Sequence, residues 1–242
     1  MTESYLIDMD HTYIDENVAR VREQITKAAR SAGRKDSDVI LMAAIKSADS
    51  DEINYLHQRL GINHVGENRV QQLLERYDKL DKNGLEMHFI GSLQTNKVKY
   101  ISDKVSLIHS LDSLRLCEEI QKQAKKRGII SRVLVEINSG NEENKGGIEY
   151  NEAERFCEEI QKFDAVELCG FMTMAPKCEK KEDYYPYFEK TREVSERIWK
   201  NTLGKSGEPI LSMGMSESFE PAIECGATLV RIGRTLFTRP CK

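Results

Sequence analysis

Short apolar runs recur along the chain. Each is followed by polar residues and then by a stretch whose apolar side chains repeat at helical spacing. The runs predict strands at Val39 to Ile45, His64 to Gly66, Met87 to Gly91, Val105 to His109, Arg132 to Ile137, Val166 to Met172, Pro209 to Met213 and Thr228 to Ile232. Between them, Ile53, Leu56 and Leu60 share one helical face, behind an N-cap signal of Asp49 with Glu52 three residues on. Val70, Leu73, Leu74, Tyr77 and Leu80 form another stripe, and Phe188, Thr191, Val194 and Ile198 a third. Asn151 with Glu154 predicts a capped start for a helix carrying Phe156, Cys157, Ile160 and Phe163. Residues 15–32 predict an extra helix ahead of the first strand, stopped at Gly33.

Eight strands alternating with helices fit either an open doubly wound sheet or a closed (β/α)8 barrel. No G-x-G-x-x-G follows the first strand, which weakens the dinucleotide-binding option. The number and regular spacing of the units favour a single TIM barrel with an N-terminal helical extension over 1–36, a barrel over 37–240, and one domain for the whole of 1–242. No Gly/Ser-rich or Pro-rich linker divides the chain. In such a barrel, functional residues collect where strands end and the following loops begin.

Charge narrows the function classes. Lys plus Arg is 36 against 40 for Asp plus Glu, so no basic excess points to nucleic acid. The Lys-rich pieces at 122–127 and 177–181 read as solvated faces. None of the six cysteines forms a C-x-x-C pair or stands at zinc-ligand spacing from a histidine, so no metal is expected. Reduced thiols and an acidic start at Thr2, Glu3 and Ser4, unlike a secretory leader, suggest a cytoplasmic protein. No apolar run is long enough to span a membrane.

The strand exits carry the candidate chemistry. Lys46 ends a seven-residue apolar run that should be buried on both faces. A lysine is usually a solvated surface charge, but one at this position should be partly desolvated. Its amine would then be free to attack a carbonyl, as a Schiff-base lysine must. On the loops after the last two strands, Ser212, Gly214, Ser216 and Gly233 suit a phosphate site. Ordinary turn chemistry is the competing reading, with Ser216 capping the helix that holds Phe219, Ala222 and Ile223. Arg231 lies inside an apolar strand and needs a partner, either a buried carboxylate or an acceptor on a ligand. A guanidinium only donates, so a pyridine nitrogen facing it should be unprotonated. For His88 and His109, packing or a structural hydrogen bond is the commoner role and general base the rarer one.

These residues sit within longer matches. Val-Gly-Glu-Asn at 65–68, His-Phe-Ile-Gly at 88–91, Leu-Gln-Thr-Asn-Lys at 93–97, Ile-His-Ser at 108–110, Asn138 with Lys145, Gly-Phe-Met-Thr at 170–173, Leu-Ser-Met-Gly-Met-Ser at 211–216 and Val-Arg-Ile-Gly at 230–233 occur in one order over roughly residues 39 to 240. In this the chain resembles the pyridoxal 5′-phosphate (PLP) homeostasis protein family, also called the YggS/PROSC or alanine racemase N-terminal domain-like family. The resemblance implies a fold-type III PLP-binding barrel, monomeric, with PLP held as a Schiff base on Lys46 and Arg231 near the pyridine nitrogen. It implies a phosphate held by Ser212 and by backbone amides at Gly233 and Arg234, with Asn68 and His88 near the ring and Lys145 assisting transfer. The sequence departs from the family at Ile45-Lys46-Ser47-Ala48, at Met87 and at Arg234. There, Ser usually precedes the lysine, Trp often precedes the histidine, and Thr often follows the glycine.

Three functions follow as expectations. The first is a PLP carrier that supplies or buffers the cofactor for PLP-dependent apoenzymes without strong catalysis. A racemase on this barrel would add a C-terminal β-domain, and the sequence ends at Lys242, a few residues past the eighth strand. The alternative is a PLP-dependent amino-acid racemase with Lys46 as one base and His88 or His109 as the other. The third is a phosphate-ligand barrel that forms no Schiff base.

Overall fold

The computed structural model describes residues 11–140 and 146–239. Its strands are β1 Ile40–Ala44, β2 His64–Glu67, β3 Glu86–Phe89, β4 Leu107–Leu111, β5 Ser131–Ile137, β6 Val166–Thr173, β7 Ile210–Ser212 and β8 Leu229–Ile232. They pair in parallel in sequence order, and β8 closes on β1 with Met42 opposite Arg231. The helices are α1 Thr12–Ser31, α2 Ser50–Leu60, α3 Val70–Tyr77, α4 Val98–Ile101, α5 Leu114–Arg127, α6 Ala153–Ile160, α7 Tyr185–Arg197, α8 Phe219–Glu224 and α9 Arg234–Phe237. This is the expected (β/α)8 barrel with an extra helix in front. That helix begins three residues before the expected Asp15.

Two apolar layers explain why the strands read as nearly continuous hydrophobic runs. Outward-facing Val65, Phe89, Ile108, Val133, Val135 and Phe171 pack against Leu56, Leu73, Ile120 and Phe188 of the surrounding helices. Inward-facing Met42, Ile90 and Leu229 fill one part of the barrel interior, and Leu107, Leu134 and Met172 another. Fully burying a side chain of this kind stabilises by roughly 1.5–3 kcal/mol, so the two layers supply most of the driving force. Interrupting the inner layer are buried polar residues, His88, His109, Glu136, Ser212 and Arg231.

Local signals decide the helix ends. At α2, Asp49 Oδ1 accepts from Glu52 N–H at 2.9 Å and Glu52 Oε2 accepts from Asp49 N–H at 2.9 Å, the reciprocal cap expected from the sequence. At α6 the expected Asn151 cap does not form, because Glu152 holds the N-cap position without a side-chain bond. The Glu149 carbonyl instead accepts from Glu152 and Ala153 N–H at 3.1 and 3.0 Å, so a backbone turn leads into the helix. Among the described residues no helix is long and apolar enough to cross a membrane.

Candidate functional site

The C-terminal ends of β1, β2, β3, β6, β7 and β8 open into one cavity of about 510 Å³, lined by Lys46, Asn68, Ile90, Met174, Ser216, Arg231, Gly233 and Arg234, among others. The volume lies in the ~300–1,000 Å³ range of small-molecule sites. Five of the seven cofactor-contact residues expected from the sequence therefore meet at one place: Lys46, Asn68, Arg231, Gly233 and Arg234. Lys46 itself is exposed, not partly desolvated as expected. The strand ends at Ala44, so burial on both faces stops before the lysine, which stands at the open mouth.

The walls are set by residues that sequence reasoning missed. Glu67, at the end of β2, is fully buried. Its Oε1 accepts from Asn68 and Arg69 N–H at 2.7 and 3.1 Å, and its Oε2 pairs with Arg76 Nη1 of α3 at 2.9 Å. The same Arg76 nitrogen donates to the Ile45 carbonyl at 2.7 Å. One half-buried ion pair thus fixes both the loop bearing Asn68 and the backbone next to Lys46. Gly91 completes the contact, since a Cβ there would lie 2.0 Å from the Asn68 carbonyl oxygen. At the other side a Cβ on Gly233 would lie 2.7 Å from the Ala44 carbonyl, so glycine lets the turn after β8 close against β1.

Beneath the cavity the polar interior forms one chain of hydrogen bonds. Arg231 Nη1 donates to the Ser212 carbonyl and hydroxyl at 2.5 and 2.7 Å, and Nη2 donates to the Thr173 carbonyl at 2.8 Å. Ser212 Oγ lies 3.0 Å from His109 Nδ1, His109 Nε2 2.9 Å from His88 Nδ1, and His88 Nε2 3.0 Å from His64 Nδ1. Because Arg231 can only donate, the Ser212 hydroxyl accepts from it, and the acceptor within reach of the hydroxyl's own proton is His109 Nδ1. In that assignment His109 and His88 carry their protons on Nε2 and donate onward to His64. Burial drives the His88 imidazole down to about 3 and His109 well below its ordinary value, which keeps both rings neutral. The carboxylate partner considered for Arg231 is absent within ion-pair distance among the described residues. Neutral acceptors hold the guanidinium, and burial lowers it to about 10 against the pull of Glu136.

Ser212 and His88 therefore stand one step behind the cavity. The Ser212 Oγ, expected to contact the phosphate, is fully buried and bonded to Arg231 and His109. Ser216 lines the cavity. It does not cap α8, whose N-cap is Ser218, but accepts from Thr235 N–H at 3.5 Å, tying the β7 loop to the β8 turn. The Arg234 guanidinium pairs with Glu217 Oε1 at 2.6 Å, and both residues line the cavity. Lys145 lies outside the described residues.

The buried titratable groups give the fold a directional response to pH. His88 is neutral when folded and takes a proton near 6.5 when unfolded, so its stabilisation is lost as pH falls from 6.5 towards 3. His109 and His64 are shifted in the same direction. Glu136, raised by burial and by Asp112 to about 7, acts in the opposite sense between 4.5 and 7. The two deeply buried histidines outweigh Glu136 where the windows overlap, while the less buried His64 adds a smaller amount and Asp112, also raised by burial, opposes it. Stability should fall by about 1 kcal/mol per unit on acidification from pH 6 to 5. Chemical denaturation across this range measures it, and a flat or rising curve would contradict the neutral histidine chain.

Among the described residues no group of His, Cys, Asp or Glu is placed to hold a metal ion. The donor set at the mouth is instead an amine, an amide, a hydroxyl and a guanidinium around apolar walls. That set suits an aldehyde-bearing aromatic phosphate such as PLP. Comparison with known proteins agrees. The family model for the N-terminal domain of alanine racemase matches residues 14–240. A pyridoxal phosphate homeostasis protein of Aquifex aeolicus is 46% identical over 222 residues, 92% of this chain and 96% of that protein. Among solved structures, PipY of Synechococcus elongatus, determined with PLP bound, superposes with a TM-score of 0.80 at 26% identity, covering 93% of this chain and all of that one. A protein of unknown function from Bifidobacterium adolescentis gives 0.84 at 33% identity, covering 95% of this chain and 96% of that one.

Proposed function

The chain belongs to the alanine racemase N-terminal domain family, and from that membership we propose that it binds PLP on Lys46 and serves intracellular PLP homeostasis. The convergence of Lys46, Asn68, Ser216, Arg231, Gly233 and Arg234 on one cavity carries this reading. When bound, PLP would supply an aldehyde for the Lys46 amine and a phosphate as its anchor. Lys46, exposed at the mouth, provides the amine where both cofactor and acceptor can reach it. Ser216 Oγ and the backbone amides of Gly233 and Arg234 hold the phosphate. Asn68, fixed through Glu67 and Arg76, would stand beside the ring. Arg231 would face the ring nitrogen, and because it only donates it would keep that nitrogen unprotonated. An unprotonated ring withdraws electrons poorly, which favours holding the cofactor over carbanion chemistry. Ser212 and His88 act through Arg231, by holding its guanidinium in place.

The racemase alternative is not favoured. The curated relative is named for PLP homeostasis. His88 and His109, the candidates for a second base, are buried inside the barrel with both ring nitrogens engaged. The wider reading is a monomeric cytoplasmic carrier that passes PLP to dependent apoenzymes. Mixing the PLP-loaded protein with an apo form of a PLP-dependent enzyme, in the presence of a phosphatase that destroys free PLP, tests it. Enzyme activity should return faster than with an equal amount of free PLP. Recovery no better than with free PLP, or racemisation of an added amino acid at enzymatic rates, would overturn the carrier reading.

A further inference from the structure

The N-terminal helix lies outside the barrel, yet it grips both turns around the cavity from behind. Asn17 of α1 is 6% exposed. Its Nδ2 donates to the Leu236 and Thr238 carbonyls at 3.1 and 2.9 Å, and its Oδ1 accepts from Arg20 Nη2 at 2.7 Å. Those two carbonyls close the C-terminal end of α9, whose other end begins directly after Gly233. Arg34, just past α1, does the same for α8. Its Nη1 donates to the Ile223 and Ala227 carbonyls at 2.9 Å each, at the far end of the helix that follows Ser216 and Ser218. Gln24 adds a bond to Glu220 of α8 at 2.7 Å. Terminal carbonyls of a short helix have no intrahelical partners, so an outside donor largely decides where such a helix sits.

We propose that α1 is a splint for the phosphate cradle, with Asn17 as its principal positioning residue. This rests on the reading that Gly233, Arg234 and Ser216 hold the phosphate of PLP. A four-residue helix has too few internal bonds to keep its own place. With both amide protons on its last carbonyls, Asn17 pins α9 from the far end and so aligns the backbone at Gly233 and Arg234. The lysine end of the cavity, built on β1 and braced by Arg76, is not touched by this grip. Loss of Asn17 should therefore weaken recognition of the phosphate and leave recognition of the aldehyde intact.

The test compares PLP with pyridoxal, which has the aldehyde but lacks the phosphate. Asn17→Ala should lower the affinity for PLP about tenfold, as expected for two lost hydrogen bonds. Its affinity for pyridoxal should stay within about twofold of wild type by the same scale, with the absorbance band at an unchanged wavelength. Ile25→Ala, which thins the core of the same helix away from α9, is the control and should not change the ratio of the two affinities. If Asn17→Ala folds poorly, Asn17→Asp keeps the shape and removes the donors, and it should shift the ratio in the same direction. A parallel fall for both compounds, or no fall for either, overturns the splint. A wild-type protein that forms no Schiff base with either compound overturns the PLP reading itself, a different result from any seen in the variants alone.

Discussion

Replacing Lys46 by alanine is expected to remove the near-visible absorbance band of the PLP-loaded protein completely and to leave the fold unharmed. Lys46 is exposed, and among the described residues it makes no hydrogen bond or ion pair. An exposed side chain without partners contributes within about 0.5 kcal/mol to stability, so the variant should unfold at the wild-type midpoint. Loss of the band in a folded protein then reports chemistry alone. PLP should still bind weakly through its phosphate, and equilibrium dialysis would detect that residual affinity. A variant that keeps the band would mean that another amine carries the cofactor.

Arg231→Gln should have the second largest effect, and it acts on fold and site together. The guanidinium is 4% exposed and satisfies three acceptors, the carbonyl and hydroxyl of Ser212 and the Thr173 carbonyl. Two effects compete. Removing a buried charge relieves an effective desolvation penalty of several kcal/mol. Against that, each buried acceptor left without a donor costs about 1–3 kcal/mol, and the shorter glutamine cannot reach Thr173 and Ser212 at once. The volume it vacates adds a cavity cost. Orphaned acceptors and cavity together should win, with a net loss of about 2–4 kcal/mol. The histidine chain also loses the donor that sets its direction. PLP retention should fall at least tenfold, which dilution and dialysis of the loaded variant would measure. Wild-type stability and retention in this variant would show that the interior chain is incidental to the site.

The barrel was legible because parallel strands covered on both faces leave long apolar runs, as at Val39 to Ile45 and Arg132 to Ile137. The polar interior was harder to read. His64 and His88 stand 24 positions apart, and only the register of β2 against β3 brings a nitrogen of each ring to within 3.0 Å of the other. The Glu67–Arg76 pair crosses from a strand end to a helix, so neither residue announces the contact locally. Ser212 and Ser216 look alike as phosphate ligands in sequence. The period of two separates them: Ile210 and Ser212 share the inner face of β7, whereas Ser216 falls beyond the strand, on the turn that reaches the cavity. That signal was present in the sequence. The splinting role of Asn17 was not, because it depends on a contact spanning 219 positions.

Borohydride reduction of the PLP-loaded wild-type protein, followed by mapping of the modified peptide, tests the PLP reading most directly. The near-visible band should shift on reduction, and the stable label should be on Lys46 alone. A label on a different lysine, or no band after PLP is added, would contradict the assignment of this barrel mouth as a PLP site.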